Sequence, residues 1–313
     1  MQHFGQLPGV EEALLRPGFR CKADEPATLY AMVEGGHLLT DEGYRDTKVG
    51  RVFAAEHLQQ VPTDEEQVPT DEEQVSTDEE QVSTDEEQVS TDEEQVKCRM
   101  RLERSDYLAH LGHYRDFTAR FDRLLKSHLE QAPAGSKLVL LSEGADWIAR
   151  WQRRTYPEAA IMILDFYPAV EHLADFATLV FTSSPSRKTW IKQQCRSLKA
   201  GRLAKVMLAI RTKAFDRRRS CIRTKADKLL AYYQNNRYRM QYDEYLAQGL
   251  TIGSGAIESA ISTLVQQRCK LVGQRWTAQR VAAVLNVRAL YHSSKQDQLL
   301  KIINQQRGYE QAA

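Results

Sequence analysis

Two short runs with uninterrupted apolar interiors constrain this chain most. KLVLLS (137–142) and AAIMIL (159–164) flank a segment of helical spacing, ADWIARWQRRTY, that Pro157 stops. Brief runs without polar alternation mark strands buried on both faces. Upstream, TLYAMVEGGHLL (28–39) reads as a strand ending near Glu34, and TKVGRVFAAEHL (47–58) as a second, with Gly43 in the turn between them. VKCRMRLER (96–104) alternates and reads as a third, so the order opens as a three-stranded meander. Residues 106–131 switch to helical spacing, with Phe117, Phe121, Leu124, Leu125 and Leu129 in one stripe. Residues 1–27 show no clear periodicity. After the second apolar run almost everything reads helical, interrupted near 183–186 and 249–255. The expected class is α/β: three antiparallel strands, a helix, a strand, a helix and a strand, then helices.

Residues 61–95 interrupt this plan with five copies of a seven-residue unit, VPTDEEQ twice and VSTDEEQ three times. Each unit offers one apolar residue, whereas a coiled-coil seam needs two. Dense like charge with so little apolar surface favours a disordered loop insertion between two strands, which slowly growing closure entropy tolerates. The repeat also hides a charge split. The net charge is +1, yet residues 187–307 carry 25 Lys/Arg against 6 Asp/Glu, a balance of +19. A face that basic suggests a polyanionic partner, most simply nucleic acid.

Several classes drop out. There is no apolar run long enough to span a membrane, and the N-terminus lacks the basic flank and apolar core of a signal peptide. The five cysteines are odd in number and far apart, with no C-x-x-C pair. A reduced, cytoplasmic protein, associated with the nucleoid, is the expectation.

Three acids flanked by glycine stand at strand ends or a helix start: Glu34 in MVEGG, Glu143 in LSEGADW and Glu258 in IGSGAIES. Acids at the carboxyl edge of a sheet, with a third on a nearby helix, can chelate two divalent metals for phosphodiester displacement. Mg²⁺, or Mn²⁺, takes such hard oxygen ligands, and a glycine after an acid leaves room for close approach. The ordinary alternative is a solvated acid at a strand end. Arg217, Arg218 and Arg219, with Arg211, Lys213, Arg223, Lys225 and Lys228, form the densest basic run, a phosphate-contacting surface or simply a solvated helix face. Arg268, Lys270, Arg275 and Trp276 follow Glu258 closely and are the better DNA candidates. Trp276 would stack on a displaced base or sit in the core. Trp147 and Trp151 read as core. His110 and His113 read as surface histidines sharing a helix face.

The stretch 232–276 goes further. Its pattern Arg239-Met240-x-Tyr242, Gly249-Leu250-x-Ile252-Gly253-Ser254-Gly255-x-Ile257-Glu258, Arg268-x-Lys270 and Gly273-x-Arg275-Trp276 closely resembles the C-terminal catalytic motif of bacterial insertion-sequence transposases with a DDE acidic triad, most like the Kra-type group related to the mutator-like transposases. YAMVEGG…KVGRVF resembles the first-strand hairpin of that family, LSEGADWIARW its second acidic motif, and ILDFYPAVEHL the strand and helix that follow. The resemblance covers about residues 28–292 apart from the repeat. It implies a ribonuclease H-like core over 28–172 and 251–293, a helical insertion over 173–250 and a helical tail over 294–313. It further implies a catalytic and metal-binding triad of Glu34, Glu143 and Glu258, with Ser254 capping the Glu258 helix and Asp165 and His172 in support. Mg²⁺-dependent 3′-end cleavage and strand transfer on DNA would follow, with a homo-oligomer left open. Four departures stand out. Glu34 and Glu143 occupy positions where the family has aspartate, Pro168 stands where it has histidine, and only about 27 residues precede the first strand. Together they suggest a shortened, degenerate copy, with a non-catalytic DNA-binding remnant or a pseudogene product as the alternative.

Overall fold

The computed structural model describes residues 9–22, 25–62, 98–215, 220–253, 260–271, 273–293 and 295–312. The protein is a mixed α/β molecule built on a five-stranded mixed sheet. Its strands are β1 (Thr28–Thr40), β2 (Gly43–Ala54), β5 (Asp106–Leu111), β6 (Lys137–Ser142) and β7 (Ala160–Leu164), in the order β5-β2-β1-β6-β7. β1 pairs antiparallel with β2, and β2 with β5. β6 runs parallel to both β1 and β7. A separate two-stranded sheet joins β3 (Leu58–Pro62) to β4 (Cys98–Leu102), antiparallel, from Leu58 opposite Leu102 to Pro62 opposite Cys98.

The sheet is buried on both faces, and period-two alternation assigns each residue its side. Leu29, Ala31, Val33, Leu138 and Leu140 face a cluster built with α1 (Val10–Leu15), α2 (Tyr114–Gln131), α3 (Asp146–Thr155) and α10 (Ala278–His292). Tyr30, Met32, Val139 and Leu141 face the other, built with α4 (Phe166–Val180), α5 (Ser184–Lys199), α6 (Leu203–Phe215), α7 (Ser220–Asn236) and α8 (Tyr242–Ala247). Helices α4–α8 therefore form one outer layer of the sheet. In α6 the buried residues Val206, Ile210 and Ala214 recur every four positions, and in α7 Ile222, Ala226, Leu229 and Tyr233 recur every three or four. A short α9 (Gln267–Cys269) precedes α10, and α11 (Gln296–Ala312) closes the chain.

Three sequence expectations are corrected. The third strand of the main sheet is not 96–104 but DYLAHL, Asp106–Leu111, a stretch whose spacing reads as helical; α2 begins only at Tyr114. DYLAHL is too short for a period to declare itself, and pairing with β2 over Thr47–Val52 decides it. VKCRMRLER supplies β4 of the small sheet instead. β1 does not end near Glu34 but runs on to Thr40, because its antiparallel ladder with β2 continues after the parallel ladder with β6 has stopped at Val33. His110 and His113 share no helix: His110 is a half-buried β5 residue, and His113 is the N-cap of α2, its Nδ1 accepting the Arg115 N–H at 3.2 Å. The aperiodic N-terminus contains α1, whose Val10, Ala13, Leu14 and Leu15 are buried. The repeat lies outside the described residues apart from Val61 and Pro62 in β3.

Candidate functional site

The parallel ladders stop together. The last pairs are Val33 with Ser142 and Ser142 with Leu164. The next residue on each of these three adjacent strands is an acid: Glu34, Glu143 and Asp165. Three carboxylates thus line one edge of the sheet. Asp165 is buried and N-caps α4, accepting the Tyr167 N–H at 3.0 Å, while its own N–H donates to the Ser142 carbonyl at 2.9 Å. Glu143 is half-buried, and its Oε1 accepts the Gly35 N–H at 3.1 Å. Glu34 accepts the N–H groups of Ala260 and Ile261, each at 3.2 Å.

Burial pushes the Glu143 carboxyl above its usual range, and the charges of Glu34 and Asp165 push it the same way, against the Gly35 hydrogen bond and the Lys48 ammonium. Mutual repulsion of this kind disfavours the charged form of Glu143. Among the described residues, no group of three His, Cys, Asp or Glu is assembled closely enough to hold a metal ion. Glu258, the third expected ligand, lies outside the described residues, as does Ser254.

The loop leading toward Glu258 is anchored across this edge. The Thr251 N–H donates to the Tyr30 hydroxyl at 2.9 Å, and the Phe166 N–H to the Ile252 carbonyl at 3.0 Å. A Cβ on Gly253 would stand 2.6 Å from the Tyr167 ring and 3.2 Å from an Asp165 carboxylate oxygen, so only glycine lets the loop pass. Beyond it, Ser262–Gln266 is a π-helical turn, and the Arg288 Nε donates to the Leu264 carbonyl at 3.0 Å. Such turns loosen the regular ladder and leave carbonyls for side chains to satisfy.

Behind the acids lies a buried polar network that the sequence patterns do not announce as a site. Arg239 is 0% exposed. Its guanidinium donates to the Ser142 hydroxyl and the Gln152 side-chain amide oxygen, both at 3.1 Å, and to the Asn236 side-chain amide oxygen at 2.5 Å. Asn236 in turn donates to the Tyr232 carbonyl at 2.8 Å. Arg239 appears in the motif of 232–276, but nothing in its spacing reveals that it braces the residue before Glu143. Asp165 is legible as a strand-end acid by the same rule that finds Glu143.

The remaining candidates are dispersed. Trp276 is half-buried against the core, its ring carries the Arg268 guanidinium at 5.5 Å, and its carbonyl accepts the Asp41 N–H of the β1–β2 turn at 2.9 Å. Arg268, Lys270 and Arg275 are all exposed. Trp151 is core, donating to Asp122 at 2.9 Å. His172 is exposed on α4 and meets the Tyr232 ring edge-on at 4.8 Å. Pro168 sits in the first turn of α4, where a missing N–H costs nothing. Arg217, Arg218 and Arg219 lie outside the described residues; nearby, Arg211, Arg223 and Lys228 are exposed, and Lys225 pairs with Asp175 at 2.8 Å. No helix among the described residues is long and apolar enough to cross a membrane. No family model matches the chain, and no curated protein matches it significantly.

Proposed function

We propose that the chain is a DNA transposase of an insertion element, of the DDE class with a ribonuclease H-like catalytic sheet, in a degenerate copy whose main surviving property is DNA binding without sequence preference. The observation that carries this reading is the row of Glu34, Glu143 and Asp165, one residue past the last parallel pair on three adjacent strands. The succession of three antiparallel strands, a helix and two strands joined by a helix supports the ribonuclease H-like assignment. Mg²⁺ or Mn²⁺, held by Glu34, Glu143 and Glu258, would supply the electrostatic stabilisation of 3′-end cleavage and strand transfer. The chain's own part is to hold the acids at the strand ends and to grip phosphates with the exposed bases of α5–α7 and with Arg268, Lys270 and Arg275.

A non-catalytic DNA-binding remnant is the second reading, and Glu34 favours it. Glutamate stands there instead of aspartate, and both its carboxylate oxygens accept backbone N–H groups. The test is a labelled random-sequence duplex, followed by anisotropy across a salt series and by gel after incubation with Mg²⁺ or Mn²⁺. Binding that weakens steeply with salt and is indifferent to sequence, with little or no nicking, is the expected result. Absence of binding at low salt would overturn both readings. Robust nicking would leave a working enzyme and discard the degenerate one.

A further inference from the structure

Resting on the DNA-binding reading, we propose that the solvent face of α6, with the bases of α5 and α7 beside it, is a docking surface for the chain's own acidic repeat, residues 61–95, which competes there with nucleic acid. The three helices carry eleven Lys and Arg against one acid, Asp227. Helical spacing divides α6 in two: Val206, Ile210 and Ala214 are buried, while Lys205, Leu208, Arg211, Thr212 and Phe215 are exposed on the opposite side. Leu208 is 62% exposed and Phe215 81%. A face serving phosphates alone needs bases, hydroxyls and N–H groups, not two large apolar side chains in the same stripe. A polypeptide bearing both acids and apolar residues would use all of it.

The repeat has that composition. Each of its five units holds three acids, one valine and no base. Its point of attachment favours this face as well. The repeat springs from the β3–β4 hairpin, and Leu58 of β3 and Leu102 of β4 pack against the apolar cluster that holds Val206 and Ile210 of α6 and Ile222 and Ala226 of α7. Stem and basic helices therefore lie on the same side of the sheet. Between Pro62 and Cys98 the chain has 35 residues. At 3.3–3.6 Å per residue their midpoint reaches up to about 60 Å from the stem, more than the width of a molecule of this size. Belonging to the same chain, the repeat meets the face at an effective concentration on the order of 1 mM. A contact at the weak end of non-specific polyanion binding, about 0.1 mM, then leaves the face about nine-tenths occupied. A competing duplex loses about tenfold in apparent affinity.

The test uses the full chain and a variant of the same length in which every Asp of the repeat becomes Asn and every Glu becomes Gln. The probe is a labelled random-sequence duplex, read by anisotropy at low salt, where such contacts are least screened. Leu208→Ser with Phe215→Ser is made in both chains; both side chains are exposed, so the core is untouched. The neutralised chain is expected to bind the duplex about tenfold tighter than the wild type. The α6 substitutions should raise duplex affinity several-fold where the repeat is acidic and leave it unchanged where the repeat is neutral. A labelled peptide of the five acidic units should bind the neutralised chain, and bind it several-fold more weakly after the α6 substitutions. Equal duplex affinities of the wild-type and neutralised chains overturn the proposal. So does tighter binding by the neutralised chain with the α6 substitutions inert in both backgrounds, because the repeat's charge would then act from a distance without docking. Absence of duplex binding by either chain fells the DNA-binding reading, and the peptide then decides the docking surface separately: binding that the α6 substitutions weaken supports it, and no binding overturns it.

Discussion

At the scale of single residues, Glu143 is the acid whose behaviour is most sharply set by its surroundings. Its carboxyl is raised by burial and by the charges of Glu34 and Asp165. A carboxyl whose folded value lies above its unfolded one binds its proton more tightly in the folded state. The stability this contributes is fully present below the unfolded value, near pH 4.3, and is lost as pH rises through the raised folded value. Glu143→Gln keeps an acceptor for the Gly35 N–H and removes the repelling charge. We expect it to stabilise the protein by about 1 kcal/mol at pH 8 and hardly at all at pH 4, read by denaturant unfolding at the two values. Equal effects at both would mean that the charge is not the cause. Aspartate at position 34 carries an opposite lesson. Glu34→Asp withdraws a carboxylate from the N–H groups of Ala260 and Ile261, so a variant meant to recover metal chemistry should lose about 1–3 kcal/mol in stability, measured by the same unfolding.

At the scale of elements, the sequence is clearest where burial on both faces leaves no ambiguity. KLVLLS and AAIMIL are readable as strands because nothing polar interrupts them, and α2 because Phe117, Phe121, Leu124 and Leu125 keep one buried stripe. DYLAHL escapes such a reading because six residues cannot show a period, and its strand identity comes from β2, distant in sequence. The acid edge is half legible: the acids announce themselves at the ends of apolar runs, whereas Tyr232 and Arg239 reach them only through the packing of α7 and the segment after it. The repeat belongs to this scale as well. β3 and β4 are paired up to Pro62 opposite Cys98, so the intervening segment closes a hairpin whose ladder is already formed. Replacing residues 63–97 with Asn-Gly should leave the fold intact. It should hold or raise the thermal midpoint, because shortening a closed loop lowers its entropic cost by about 0.6 kcal/mol for each halving of length. A large fall in midpoint would show that the repeat packs on the domain.

At the scale of the whole molecule, one buried ionic cluster ties the two ends of the chain to the sheet. Asp106, at the start of β5, is 0% exposed. It meets His128 of α2 at 2.8 Å, and its other oxygen faces the Lys295 ammonium at 2.9 Å, a contact of charge more than of direction. The Gly18 N–H donates to it at 2.6 Å, and Lys295 also donates to the Arg16 carbonyl at 2.5 Å. A Cβ on Gly18 would lie 2.5 Å from Asp106, so the N-terminal segment can reach the cluster only as glycine. Burial pushes the Asp106 carboxyl up, but the His128 hydrogen bond and the Lys295 charge outweigh it and hold the group below its ordinary range. A depressed carboxyl contributes stability that is present above the unfolded value, near pH 3.9, and lost as pH falls through the folded one. Acid should therefore release both chain ends from β5. Lys295→Met leaves the Asp106 charge buried with a partner removed, and should cost about 3–5 kcal/mol by chemical denaturation at pH 7. Asp106→Asn combined with Lys295→Met removes both charges and should recover most of that loss, while flattening the decline of stability below pH 4. A double variant no better than Lys295→Met alone would mean that the lysine matters through its contact with the Arg16 carbonyl, and that the ion pair does not hold the chain ends.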